Sequence, residues 1–399
     1  MRSPGWPAWS CPPTWAISSA NKPQSHKHKL LQKIPVNSLV LPYNGPALCR
    51  AVFFLVTPPS PTQGGLALAV AFVQRDWFLA ALLLLIPVGL AWPEPGQYIK
   101  EKGQVIPVFV GIMLGIAGFT MDTSRLIKQA THFRAVLPVL ASTYLLAPVA
   151  AYGLARAFAP GGNEHFLPAM MIMAAQAGSL ASAIALTHMA GGNRELALIC
   201  TVLSNGLTVV LTPYILEISI GREVAFDLGS MVLRMVLIVL LPIVAGQLLR
   251  RHLWERTEKI RFIIRLAPQF IILLFVYTGF AAGAGKLTQD ASLVLRFLAA
   301  CVLLHLILLT ANTLAAMALK LSWPDRTAMI YTGSQKTLPN GIYIWNTFFP
   351  ANPYGAIPLV LYHLFQLIVD TLLAPVLERR NPPSEGVSVD APCTISKRP

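Results

Sequence analysis

A chain segment that crosses a bilayer must satisfy its own backbone hydrogen bonds, so recurring apolar runs of about 20 residues restrict a chain to membrane helices. Ten such runs occur in these 399 residues, near 77–93, 105–121, 133–156, 166–190, 195–216, 229–249, 261–283, 294–319, 325–349 and 354–377. Strands of a membrane barrel would alternate polar and apolar residues, and these runs do not. Composition agrees. Hydrophobic residues make up 55% and charged residues 12%, whereas a water-soluble domain carries about a quarter charged residues. The expected fold class is an all-α polytopic membrane protein of about ten transmembrane helices.

Three regions follow. Residues 1–74 are rich in Pro and Ser with no acidic residue before Asp76, and read as a disordered or targeting segment. Residues 75–380 form the transmembrane domain. Residues 381–399 read as a disordered tail. The net charge of +14 does not point to nucleic acid, because the basic residues sit in short loops where they orient helices. One set of loops holds Arg125, Lys128, Arg194, Arg250, Arg251, Arg256, Lys259, Arg261, Lys320 and Arg326, with Arg379 and Arg380 after the last run. The other holds only Lys100, Lys102, Arg156, Arg222 and Lys286. The richer side is expected to be cytoplasmic, with both termini on it. The five cysteines have no metal-ligand spacing, and Cys200 and Cys301 read as small core residues.

The ninth run contains "TGSQKTLPNGI", Thr332 to Ile342, with a lysine and a Pro-Asn-Gly turn signal at mid-membrane depth. The fourth run is its likeness. "MIMAAQAGSLAS" (Met171 to Ser182) aligns with "MIYTGSQKTLPN" (Met329 to Asn340), placing Ser179-Leu180-Ala181-Ser182 on Thr337-Leu338-Pro339-Asn340. "LTPYILE" (Leu211 to Glu217) likewise parallels "LAPVLER" (Leu373 to Arg379). The offset of five runs is odd, so the halves, about 75–220 and 225–380, would be inverted repeats. Inverted repeats with interrupted helices are a signature of secondary transporters, whose unwound backbone binds ions and substrate. The other reading of the ninth run is a Pro-Gly kink in an ordinary helix, with neighbours satisfying the freed groups.

"GGNRELALICTVLSNGLTVVLTP" (Gly191 to Pro213) and "GSQKTL" (Gly333 to Leu338) resemble the sodium/bile-acid symporter family, most closely its solute-carrier-10-member-7-like branch. The resemblance covers roughly residues 75–380. It implies ten helices in two inverted five-helix repeats, a panel domain and a core domain, and fourth and ninth helices that are broken and cross. Sodium would bind behind the crossing, and an organic anion would bind between the domains and be moved by alternating access. The implied sodium ligands are Ser182, Thr201, Ser204, Asn205, Thr208 and Gln335. The family motif Glu-x-Gly-x-Gln-Asn reads here Tyr331-Thr332-Gly333-Ser334-Gln335-Lys336. Gly333 and Gln335 match, while the glutamate is Tyr331 and the asparagine is Lys336. An ammonium has donors only and cannot ligate a cation. Lys336 would then replace one cation, receive the substrate anion, or release a proton and couple transport to protons.

Ionisable residues inside a membrane are functional candidates by default. Lys336 and Asp370 stand out, and an ion pair between them is one way to satisfy both. The candidate substrate and ion-coupling set is Lys336, Gln335, Ser334, Thr337, Asn340, Ser179, Ser182, Gln176 and Asp370. His188, His305 and His363 read as hydrogen-bonded core residues. Gln247, Gln269, Asn312 and Gln366 read as interhelical contacts. Asp122 reads as a cap. No G-x-S-x-G, H-E-x-x-H or P-loop pattern is present, so no enzyme is expected. An intramembrane hydrolase and a non-transporting regulator of the same fold are the competing classes. The expected partners are an organic anion and the lipid bilayer. No cofactor is expected, and sodium enters only as a candidate coupling ion.

Overall fold

The computed structural model describes residues 77–121, 133–161, 163–221, 226–287 and 290–380. The expected N-terminal segment and C-terminal tail lie outside the described residues, as do Asp122, Arg125, Lys128 and Arg222. The described residues are helical, without a strand. In chain order they form α1 (Trp77–Ala91), α2 (Glu94–Glu101), α3 (Val105–Thr120) and α4 (Phe133–Phe158). Next come α5 (Phe166–Ala174), α6 (Ser182–Met189), α7 (Arg194–Ile220) and α8 (Leu228–Leu253). The last are α9 (Arg261–Leu287), α10 (Ala291–Ala318), α11 (Trp323–Ser334), α12 (Pro339–Phe348) and α13 (Ala356–Glu378).

Among the described residues, six helical stretches are long and apolar enough to cross a membrane, or seven if α2 and α3, which meet at 84°, count as one span. This is a helical, polytopic membrane protein. The count falls short of the ten apolar runs for a local reason. The first run is a 15-residue helix, and the fourth and ninth runs are each two short helices separated by unwound chain. α5 ends at Ala174 and α6 begins at Ser182; α11 ends at Ser334 and α12 begins at Pro339. In the sequence alignment of the two runs, these interruptions overlap. Pro339 is in the first turn of α12, where its missing N–H is not needed.

Polar residues set where helices start. Asn193, Asp227, Asp290 and Ser322 each accept a backbone N–H in the first turn of α7, α8, α10 and α11. Asn193 does more. Its Nδ2 donates to Asp325 Oδ1 at 2.7 Å and its N–H donates to the Pro324 carbonyl at 2.9 Å, tying the start of α7 to the start of α11. Gly191 takes φ +67°, and a Cβ on Gly192 would lie 2.8 Å from the methyls of Thr187 and Thr327. The "GGN" motif is thus a tight turn followed by a cross-link.

α3 and α8 pack nearly backbone to backbone. A Cβ on Gly246 would fall 2.1 Å from the Gly115 carbonyl, and one on Gly118 would fall 2.2 Å from the Ile243 carbonyl. Small residues permit this approach between membrane helices. Gln247 Nε2 locks it by donating to the carbonyls of Gly118 and Met121 at 2.6 and 2.8 Å. On the outer side of α8, Leu233, Leu237, Leu241, Val244 and Leu248 are all exposed. An exposed apolar stripe at helical spacing is the face lipid covers.

Candidate functional site

The two interrupted runs meet at their breaks. The Thr337 N–H donates to the Ala177 carbonyl at 2.9 Å. Ser182 Oγ lies 2.7 Å from both Ser179 Oγ and Gln335 Oε1. Asn205 on α7 donates to the Gly178 carbonyl at 2.9 Å, and Thr212 donates to the Ala175 carbonyl at 2.6 Å. The first break is therefore stitched to α7 on one side and to the second break on the other. Gly333 is required by a close approach, since a Cβ there would lie 2.1 Å from Asn312 Oδ1. Asn312 on α10 donates to Ser142 Oγ at 2.7 Å, and that hydroxyl donates to the Gly333 carbonyl at 3.0 Å.

Lys336 sits at the centre of this junction and is 2% exposed. Its Nζ donates to the Thr143 carbonyl at 2.7 Å and to the Gln176 carbonyl at 3.0 Å. Its backbone is held by Gln366, whose Oε1 accepts the Lys336 N–H at 2.8 Å and whose Nε2 donates to the Lys336 carbonyl at 3.0 Å. Both acceptors of the ammonium are carbonyls released from regular helix. Gln176 lies in the first break. Thr143 lies in a π turn, Ser142–Leu146, within α4. There the Ala147 N–H reaches back five residues to the Ser142 carbonyl. The next donor in that register would be residue 148, which is proline and has no N–H. The Thr143 carbonyl is left for the lysine.

Asp370 is fully buried on α13, and the pairing with Lys336 that its sequence position allowed is not the arrangement. Its Oδ1 lies 3.1 Å from His305 Nε2 on α10, and its Oδ2 accepts from Gln335 Nε2 at 2.7 Å. His305 Nδ1 is 3.2 Å from the Tyr362 hydroxyl, which donates to the Ser334 carbonyl at 2.6 Å. Tyr331, which replaces the motif glutamate, donates its hydroxyl to the Asp370 carbonyl at 3.1 Å. A buried carboxylate must be paired or hydrogen-bonded, and these partners leave the lysine to the carbonyls. The line from Ser179 through Ser182, Gln335, Asp370 and His305 to Tyr362 is continuous.

The remaining candidates divide. Ser334 Oγ is spent on the Ile330 carbonyl of its own helix at 2.8 Å, as Thr201 Oγ1 is on the Ala197 carbonyl at 2.9 Å. Ser204 donates to the Thr201 carbonyl at 3.0 Å, and the Tyr144 hydroxyl donates to the Ser204 carbonyl. Thr208 pairs with Thr212 at 2.8 Å. Asn340 is buried with neither amide atom partnered, and Asn205 Oδ1, Gln176 Oε1 and Thr143 Oγ1 are also buried without partners. Of the six implied sodium ligands, only Asn205 keeps a side-chain oxygen with no hydrogen bond at all. Three residues that matter here carried no transport role in the sequence reading: His305, Tyr362 and Thr143. His363 is buried against Gln366, with 3.0 Å between Nδ1 and Nε2, as a core residue should be. His188 is exposed on α6, which corrects its reading as core. Cys200 and Cys301 are buried and unbridged. Among the described residues no group of three or more His, Cys, Asp or Glu is placed to hold a metal.

A model of the SBF-like CPA transporter family matches residues 76–379. The chain belongs to that family. As an SBF-like transporter it has relatives across bacteria and animals. An uncharacterized protein of Pseudomonas aeruginosa is 29% identical over 328 residues, covering 79% of this chain and 97% of the relative. YfeH of Escherichia coli strain K12, whose name carries a provisional symporter assignment, is 26% identical over 311 residues, 76% of this chain and 93% of its own. The sodium/bile acid cotransporter 7 of Mus musculus is 22% identical over 318 residues, 76% of this chain and 93% of its own. The match spans both breaks, and the expected membership of the bile-acid symporter family holds. This SBF-like transporter is an integral, multi-pass membrane protein.

Proposed function

We propose that this protein is a secondary active transporter that moves a small organic anion by alternating access. In this reading Lys336 takes the place of a coupling cation at the second break. The observation that carries it is the seat of the Lys336 ammonium on two backbone carbonyls, Thr143 of the π turn in α4 at 2.7 Å and Gln176 of the first break at 3.0 Å. Carbonyl oxygens freed by unwound helix are what transporters of this architecture offer to small cations. A tethered ammonium satisfies them without an ion from solution. The buried, unpartnered polar atoms of Asn340, Gln176 and Asn205 are what supports a ligand at the same junction, because buried polar groups left unpaired in a native fold call for a partner.

The reading includes ten spans in two inverted repeats, with both termini on the cytoplasmic side. It is supported by the overlap of the two breaks in the aligned runs and by the excess of basic residues in one set of loops. It also takes sodium coupling to be absent at the Lys336 position. The experiment is thermal stability of the purified protein in sodium against potassium, for the wild type and Lys336→Asn. A ligand that binds only the folded state raises its stability. Sodium should stabilise Lys336→Asn and leave the wild type unchanged. A wild type that sodium stabilises as strongly as the variant would return the protein to sodium symport.

A further inference from the structure

We propose that the groove between α3 and α8 is a binding site for an anionic phospholipid. An acyl chain lies along its apolar lining, and the headgroup phosphate is held by Arg250 and Arg261. The groove has a volume of about 400 Å³ and an almost wholly apolar lining. Gly115 and Gly246 lie where the two backbones touch, and Ile112, Phe119, Pro242 and Leu249 flank them. It is open along its side and continues to Thr257 beyond the end of α8. A groove of this kind within the span of two lipid-facing helices is filled by hydrocarbon.

Two arginines beside the groove, reached through Phe119 of its wall and Trp254, specify the headgroup. The Arg250 guanidinium lies 4.0 Å from the Trp254 ring centroid and donates to the Phe119 carbonyl at 3.1 Å. The Arg261 guanidinium lies 4.7 Å from the same ring and donates to the Trp254 carbonyl at 3.3 Å. Trp254 itself packs on Phe119 of the groove wall, 5.7 Å between centroids. Each guanidinium has five N–H donors, and among the described residues neither is in an ion pair. Nε of Arg261 is buried without a partner. From Arg250 to Arg261 there are five Lys or Arg residues against two Glu, Glu255 and Glu258. Guanidinium forks match phosphate oxygens, and basic pockets beside membrane helices take anionic headgroups. A free phosphate would use the arginines but not the apolar groove, so the whole feature fits a lipid.

The test titrates the purified full chain in detergent with phosphatidylglycerol and with phosphatidylcholine of the same acyl chains, and reads bound lipid by native mass spectrometry. Phosphatidylglycerol should bind more tightly, by about fivefold for each arginine engaged. Arg250→Gln and Arg261→Gln should each reduce that preference by a similar factor. Ala245→Trp, which puts an indole ring into the groove lining and leaves both arginines in place, should weaken binding of both lipids. This variant keeps the test decisive even if an arginine variant does not fold. Equal affinity for the two lipids, a preference that survives both arginine variants, or phosphatidylglycerol binding unchanged by Ala245→Trp would each overturn the proposal. So would inorganic phosphate competing with phosphatidylglycerol at equal concentration, which would assign the arginines to free phosphate alone.

Discussion

The Lys336 ammonium and the Thr143 carbonyl are 2.7 Å apart, a contact that joins the break in the ninth apolar run to the π turn of α4. Lys336→Met keeps much of the length and removes the charge. Two carbonyls lose their donor, at a cost of about 1–3 kcal/mol for each buried group left unsatisfied, while the burial of a charge is relieved. The expected result is a folded protein without transport. The measurement is uptake of a mixed panel of small organic anions into proteoliposomes, beside the thermal unfolding midpoint. Wild-type uptake in this variant would sink the role given to Lys336.

Gln335 and Gln247 separate the junction from the scaffold. Gln335 joins Ser182 of the first break to Asp370 on α13 through its two amide atoms. Gln247 joins α8 to α3 away from that junction. Gln335→Ala should reduce uptake by at least ~10-fold, the effect of about 1.4 kcal/mol on a working state. Gln247→Ala should lower the unfolding midpoint and leave uptake per folded molecule nearly unchanged. Equal effects of the two on uptake would remove the special place of the breaks.

His305 and Asp370 give a prediction about stability. Asn at 370 keeps an oxygen for Gln335 and a polar atom for His305, so Asp370→Asn should leave the unfolding midpoint close to that of the wild type. His305→Phe fills the space but strips the Asp370 Oδ1 of its only side-chain partner. Leaving that oxygen unsatisfied should cost about 1–3 kcal/mol. Thermal denaturation of the two variants in the same detergent checks the order. A larger loss in Asp370→Asn than in His305→Phe would show that the ionic character of the pair, not its hydrogen bonds, holds α10 to α13.

Much of this architecture was legible because hydropathy and turn chemistry act locally. The apolar runs announced helices, and "TLPNGI" announced the second break, since Pro339 has no N–H with which to continue the preceding helix and instead starts α12. The first break has no proline, and only its likeness to the ninth run gave it away. Partnerships were another matter. Asp370 and Lys336 are the two obvious charges of the buried core, yet they do not pair, because pairing is decided by which helices pack together. The Asp370–His305 contact joins residues 65 apart in sequence, and no periodicity links them. Thr143 left a readable trace, Pro148 five residues on, but a proline matters in this way only once the helix has adopted π register. The glycines at 115, 118 and 246 resembled ordinary membrane-helix glycines until α3 and α8 were seen to touch.

Pro148 supplies the sharpest test of how the lysine came to its seat. In the π turn the donor for the Thr143 carbonyl would come from residue 148, and proline has none. Pro148→Ala restores an N–H at that point and makes it a competitor of the Lys336 ammonium. Alanine is also the better helix former, so the unfolding midpoint should be no lower than that of the wild type. Uptake should nevertheless fall, because the ammonium must share or surrender one of its two carbonyls. Stability and transport would then move in opposite directions in a single substitution that touches neither break. Combining Pro148→Ala with Lys336→Met should add nothing further to the loss of uptake, as expected of two changes acting through one contact. Full uptake in Pro148→Ala would mean that the Thr143 carbonyl is dispensable and that the Gln176 carbonyl suffices to seat the Lys336 ammonium.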